Sequence, residues 1–267
     1  MVLLHKSGWG QNQYHDIIEP RLVFSTHKKA SLEIGGIVVL EKDTLYGQFN
    51  NNVDLSYLDL LIENEEFYKY YRKIVFQYSQ RQYLFQWSVP IKVYIDEEFP
   101  KSIVEKFKAF YSQIKGVKNL NISFVNKIKD ANYHIKLTEN RINAYGEDYE
   151  FYSDTERENS IYTGSIYSLI IDKNYKFYGG TLQLNVERLK DKNRALNQLK
   201  QMFFMSLGNF MPDFSSKNQN SLNAKNYLPQ DSISESDLKL LRVHYSLIYE
   251  QPVNQQAFIR LINLRKR

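Results

Sequence analysis

The sequence predicts an α+β protein in which a mixed β-sheet packs against a long helix. Alternating apolar residues at 91–95 and 132–137 indicate strands, and apolar residues at helical spacing follow Pro100. A long, mostly apolar helical segment ends at Gly208. With 267 residues and 43% hydrophobic composition, the chain is long enough to bury one large core with a smaller appendage.

We predict an N-terminal extension over residues 1–80. It contains short β-like runs at 22–24 and 37–40, a break at Gly35-Gly36 and a turn at Lys42-Asp43. From Asp54 onward the apolar residues recur at helical spacing, which predicts one or two helices.

The main domain is predicted over residues 81–267. A strand at 91–95 is followed by a helix from Pro100 to Gly116, and further strands are expected at 121–125, 132–137 and 164–172. A long helix then runs from about residue 186 or 191 to Gly208. A C-terminal subdomain begins at about residue 209, with a polar loop, a helix capped by Ser234 and Asp237, and a last helix near 255–264.

Composition excludes several kinds of site and partner. The chain has no cysteine, so disulfides, thiolate metal sites and cysteine nucleophiles are impossible. The net charge is +5, but the basic residues are scattered among nearly as many acids, and no nucleic-acid partner is expected. No apolar run reaches membrane-spanning length, and Val2-Leu3-Leu4 is too short for the apolar part of a signal peptide.

Five fragments carry a resemblance to a known family. They are Trp87-Ser-Val-Pro-Ile-Lys-Val-Tyr-Ile-Asp96, Asp130-Ala-Asn-Tyr-His-Ile135, the helix at 199–208, Asn220-Ser-Leu-Asn223 and the helix at 233–245. In this order they resemble the zincin-like metalloprotease domain of the DUF2927 type, over about residues 81–250. The resemblance implies a zincin-like mixed sheet, a long active-site helix and a helical C-terminal subdomain. It also implies an exported protein, either periplasmic, secreted or at the cell surface.

The helix that resembles the active-site helix lacks the zinc-binding motif. A zincin places two histidines one helical turn apart and a glutamate beside the first, so that the metal-bound water is deprotonated. Anchored on Gly208, the first ligand position holds Gln201, the general-base position Met202, the second ligand position Met205 and the third Met211. A neutral amide and a thioether do not hold a hydrolytic zinc ion. We therefore expect no metal and no cofactor, and we expect Met202 and Met205 to pack in the former cleft.

These observations favour a catalytically inactive domain that binds protein partners or serves as a structural component of an exported or cell-surface assembly. In active zincins the strand at the sheet edge pairs with peptide substrate. Its counterpart here is the predicted partner-binding strand, which contains Ile166, Tyr167, Ser168, Leu169 and Ile170. The sequence leaves the partner and the oligomeric state open.

Two other functions remain open. One is a hydrolase of altered, metal-free chemistry that uses Asp213, Glu187 or His244. The other is a glycan-binding module with exposed Tyr and Trp side chains. His134 has no histidine partner at metal-ligand spacing, and the acidic segment Glu147-Asp148-Tyr149-Glu150 lacks the pattern of a calcium loop, so neither predicts a metal site.

Overall fold

A computed structural model describes residues 32–34, 37–39, 45–47, 56–76, 82–142, 163–213 and 218–266. The first three segments form an antiparallel sheet of β1 (Leu32–Ile34), β2 (Ile37–Val39) and β3 (Leu45–Gly47). The predicted strand at 37–40 is thus confirmed as β2. The predicted run at 22–24 and the turns at Gly35-Gly36 and Lys42-Asp43 lie outside the described residues.

Two helices follow, as the sequence predicts. A 3-10 turn (Ser56–Leu58) leads into α1 (Asp59–Ile62), and α2 (Glu65–Phe76) begins where the Asn64 side chain accepts a hydrogen bond from the Phe67 amide at 2.8 Å. The Tyr71 ring stacks on Phe258 near the C-terminus, with centroids 5.4 Å apart. These N-terminal helices therefore contribute to the same hydrophobic core as the C-terminal part. The domain boundary at residue 80 stays a prediction.

The main sheet has six strands, and most of its pairs are parallel. The strands are β4 (Gln86–Trp87), β5 (Ile91–Ile95), β6 (Ile122–Phe124), β7 (Tyr133–Thr138), β8 (Ser165–Ile171) and β9 (Lys176–Asn185). The order is β4-β9-β7-β5-β6, and β8 pairs with β9 in the antiparallel sense. The structure thus has the mixed α/β composition expected of the α+β class. The predicted strands at 91–95, 121–125, 132–137 and 164–172 are confirmed as β5, β6, β7 and β8.

Strand β9, which lies between β8 and the long helix, was not predicted. Gly179 and Gly180 lie in the middle of this ten-residue strand, where a glycine pair suggests a turn. The structure shows why position 180 must be a glycine. A Cβ atom on Gly180 would lie 2.9 Å from side-chain atoms of Leu169 and Tyr133, so only glycine fits between these two buried side chains.

The remaining helices lie close to their predicted positions. They are α3 (Lys101–Tyr111), α4 (Lys192–Ser206), α5 (Glu235–His244) and α6 (Gln255–Arg265). Helix α3 ends at Tyr111, before the predicted end at Gly116, which adopts a positive φ of 72° in the following turn. A 3-10 segment (Val186–Lys190) precedes α4, whose first turn is capped by the Asp191 carboxylate.

Helix α4 is the central helix of the molecule. It packs against β8 and β9 on one face of the sheet and against α3 at its side. Every residue from Leu199 to Ser206 is buried, which is uncommon for a helix on the face of a sheet. The opposite sheet face carries side chains that are partly accessible, among them Tyr94, His134 and Thr181.

We predict that Gly180→Ala lowers the free energy of unfolding by about 1–3 kcal/mol, because the new methyl group must displace the rings and methyls around it. Gly179→Ala is the matched control. Its Cβ would lie 3.0 Å from the tip of the exposed Ile170 side chain, which can rotate away. Urea denaturation of both variants checks this prediction, and equal stability of the two would contradict it.

Candidate functional site

The four predicted zinc-site positions lie at or just beyond the C-terminal half of α4. Met202 and Met205 have no exposed surface, and Gln201 is 4% exposed. Met211 is half-buried, and its backbone amide donates a hydrogen bond to the Ile74 carbonyl of α2 at 2.9 Å. Met202 and Met205 pack in the core.

The Gln201 side chain binds the backbone of residues 221–224, which we call the 221–224 turn. Its Nε2 atom donates to the Leu222 carbonyl at 3.2 Å and to the Ala224 carbonyl at 2.9 Å. These carbonyls are inside the protein, where an unpaired acceptor would cost free energy. The side chain at the predicted first ligand position therefore has a structural partner on the chain itself.

Asp237 of α5 binds the same turn from the other side. Its carboxylate accepts a hydrogen bond from the Ser221 hydroxyl at 2.6 Å and from the Leu222 amide at 2.9 Å. The Ser234 half of the predicted cap is confirmed, since Ser234 Oγ accepts from the Asp237 amide at 3.1 Å. Burial raises the pKa of Asp237 to about 6, although the hydrogen bonds from Ser221, Leu222 and Ser234 lower it.

Helix α2 closes the space beside the turn. Lys73 Nζ lies 2.6 Å from Asp213 Oδ1, and this carboxylate is buried. The Asp213 amide donates to the Asn223 carbonyl at 2.6 Å, and Tyr70 contacts the Ser221 hydroxyl at 3.2 Å. The turn is thereby linked to α2, α4 and α5 at once.

The C-terminal end of α4 is held by aromatic side chains. Trp87 Nε1 donates to the Ser206 carbonyl at 3.2 Å, Tyr133 donates its hydroxyl proton to Ser206 Oγ at 2.9 Å, and the Tyr245 hydroxyl donates to the Leu207 carbonyl. The Ser206 and Leu207 carbonyls are backbone acceptors of the kind that a helix leaves unpaired at its end. Burial raises the pKa of both Tyr133 and Tyr245, so the hydroxyl protons stay in place.

His244 is buried next to this helix end. A Cβ on Gly208 would lie 2.9 Å from His244 Nε2 and 2.3 Å from the Phe210 ring, so Gly208 is required by close packing. His244 Nε2 donates to the Phe85 carbonyl at 2.7 Å, which leaves Nδ1 to accept from the Tyr71 hydroxyl at 3.2 Å. Burial lowers the pKa of His244 to about 3, so the ring is neutral.

The other candidate catalytic residues are not brought into one site. Asp213 is ion-paired with Lys73, whereas Glu187 lies in the 3-10 segment before α4 and pairs with Lys190 at the surface. His134 lies on the accessible face of the sheet, 2.6 Å from the Asp96 carboxylate. The acidic segment at 147–150 lies outside the described residues. Within the described ranges, no group of three His, Asp or Glu side chains is arranged to hold a metal ion.

The predicted partner-binding strand is β8, and it lies at one side of the sheet. In the described part of the chain β8 pairs with β9 alone. Tyr167 and Leu169 point into the core, whereas Ile166, Ser168 and Ile170 alternate with them on the accessible face. Ile170 is 44% exposed, and Tyr178 of β9 is 46% exposed. Together Ile166, Ile170 and Tyr178 give this side of the sheet accessible apolar surface.

A planar row of solvent-facing aromatic rings is not seen among the described residues. Trp87 is buried against the helix α4, and Tyr178, at 46%, is the one described aromatic residue that is exposed. No described helix is long and apolar enough to cross a membrane.

Comparisons with known proteins give no family assignment. No protein-family model matches the chain, and the search of curated proteins finds no relative.

We predict that Gln201→Met destabilises the protein by about 2 kcal/mol, because it keeps the side-chain volume but leaves the Leu222 and Ala224 carbonyls without their donor. Gln113→Met is the control, since that exposed side chain donates to the Asp231 carbonyl at the surface. Its effect should stay within about 0.5 kcal/mol. The measurement is thermal or urea unfolding, and a neutral Gln201→Met variant would show that the turn is not held by this amide.

We predict a specific pH dependence from Asp237. The pKa of its carboxyl rises from 3.8 to about 6 on folding, so between these values the folded state holds a proton that the unfolded state has lost. Asp237 therefore lowers stability as the pH rises through this window. The difference in unfolding free energy, Asp237→Asn minus wild type, should increase by about 1 kcal/mol per pH unit between pH 4 and 6. A constant difference, measured by urea titrations across this range, would contradict the assignment.

Proposed function

We propose that this protein is a catalytically inactive, zincin-like domain that binds an extended segment of a protein partner along β8, as part of an exported or cell-surface assembly. The observation that carries the proposal is the engagement of Gln201. Its amide hydrogen-bonds to the 221–224 turn, in the position where a catalytic zincin has its first metal ligand.

The contacts around Gln201 support the loss of catalysis. A hydrolytic site needs an open metal position that water and substrate can reach. Here the side chains at positions 202 and 205 are fully buried, and Asp237, Tyr70 and the Lys73–Asp213 pair enclose the adjacent turn. The order of strands and helices along the chain, with the capped helix α5 last but one, supports the zincin-like resemblance.

Strand β8 supports the binding role. Backbone groups on an unpaired strand edge form hydrogen bonds with an added strand, and alternate side chains give the specificity. On the accessible face β8 presents Ile166, Ser168 and Ile170. The complementary partner is an extended peptide whose alternate side chains are apolar, so that they pack on Ile166, Ile170 and Tyr178.

The altered-chemistry hydrolase is the weaker candidate. His244 is 1% exposed and both its ring nitrogens have partners within the protein, so it cannot reach a substrate without rearrangement. Asp213 is buried in its pair with Lys73, and Glu187 lies at the surface beside Lys190.

A pull-down from the native source with Ile170→Lys tests the proposal. The lysine places a charge on the accessible apolar surface of β8, and we expect recovery of the partner to fall by about tenfold or more. Leu60→Lys is the matched control, because Leu60 is similarly exposed at 39% but lies on α1. We expect the control to recover the partner as the wild type does.

Metal analysis and a broad peptidase and glycosidase screen on the same preparations complete the test. We expect no stoichiometric zinc and no hydrolysis. Stoichiometric zinc with hydrolysis would overturn the inactive assignment, and equal loss of the partner in both lysine variants would remove β8 as its binding site.

A further inference from the structure

A polar groove lies between α3, α4 and the segment at 229–231, on the helical side of the molecule. Its volume is about 520 Å³. This falls in the range of small-molecule sites, which is about 300–1,000 Å³. Its lining includes Lys106, Phe110, Gln113, Asn197, Lys200 and Asp231.

Lys200 is the unusual residue of this groove. It is 4% exposed, yet it carries an ammonium group with three N–H donors. Nζ donates to the Gln230 carbonyl at 2.9 Å and lies 4.1 Å from the centre of the Phe110 ring. Burial lowers the pKa of Lys200, which means that these neutral partners and the nearby Asp231 offset the loss of hydration only in part. An anion bound in the groove would offset the rest of the hydration that the Lys200 ammonium group loses on burial.

The rest of the lining restricts the kind of anion. Lys106 on α3 is exposed and adds a second cation at the mouth, while Asp231 is the one acid that lines the groove. Two lysines and one acid give the lining a net charge of +1, which a singly charged carboxylate neutralises, whereas a doubly charged phosphate would leave an uncompensated negative charge in the groove. Side-chain amides of Asn197 and Gln113 both donate and accept hydrogen bonds, as hydroxyl groups do.

We infer that this groove binds a sugar acid, that is, a monosaccharide-sized molecule with one carboxylate and several hydroxyl groups. The carboxylate binds at Lys200 and Lys106, and the hydroxyl groups bind at the amides and at Asp231. The inference does not rest on the proposed role of β8, because the groove uses other residues and another ligand class.

Isothermal titration with glucuronate and galacturonate, each at low salt, tests the inference. Glucose supplies the hydroxyl groups without the carboxylate, acetate supplies the carboxylate alone, and inorganic phosphate supplies a different anion. We expect at least one of the two uronates to bind more tightly than all three of these probes. Lys200→Met and Lys106→Met should each weaken that binding by about tenfold or more, because each removes a charged hydrogen-bond donor.

Lys101→Met is the control, since Lys101 is an exposed lysine on the same helix α3 that does not line the groove. It should bind the uronate as the wild type does. Lys106 lies at the surface, so its variant tests the site even if Lys200→Met fails to fold. Failure of both uronates to bind, equal binding of glucose, acetate or phosphate, or unchanged affinity in Lys106→Met would each overturn the inference.

Discussion

The 221–224 turn is held between two helices by buried polar side chains, and the surrounding structure depends on this arrangement. Gln201 of α4 donates to two carbonyls of the turn, while Asp237 of α5 accepts from the Leu222 amide and from the Ser221 hydroxyl. Each of these groups would be costly to bury alone. The helices and the turn therefore fit together in one arrangement, in which the interior beside α4 is filled by the protein's own side chains.

Aromatic residues extend this arrangement to the sheet. Trp87 of β4 and Tyr133 of β7 bind the last turn of α4, and Tyr111 of α3 donates its hydroxyl proton to the Lys200 carbonyl at 2.5 Å. Helix α4 is thus fixed to the sheet, to α3 and to α5 by hydrogen bonds as well as by packing. A helix held in this way is a rigid support for β8 and for the groove that contains Lys200. Both of the binding sites that we propose lie on this support, at the surface of the protein.

Much of the fold could be predicted from local patterns. The period-two alternation of β5 and β7, the apolar face of α3 and the Ser234 cap are all local signals, and the structure contains each of these elements. Strand β9 could not be predicted in this way, because its Gly180 is required by Leu169 and Tyr133, which are distant in sequence. The sequence alone shows that α4 contains no His, Asp or Glu. The hydrogen bonds of Gln201 and Asp237 to the 221–224 turn could not be predicted, since their partners lie 15 to 23 residues away along the chain.

The most direct test of this account is native-state hydrogen exchange at the Leu222 amide, which donates to the Asp237 carboxylate at 2.9 Å. If the turn is a fixed part of the core, this amide exchanges only through global unfolding, with the same opening free energy as amides in the middle of α4, such as that of Phe203. If Leu222 instead exchanges through a local opening of low free energy, the turn is a movable cover over an accessible cleft, and the filled, inactive interior proposed here would be contradicted.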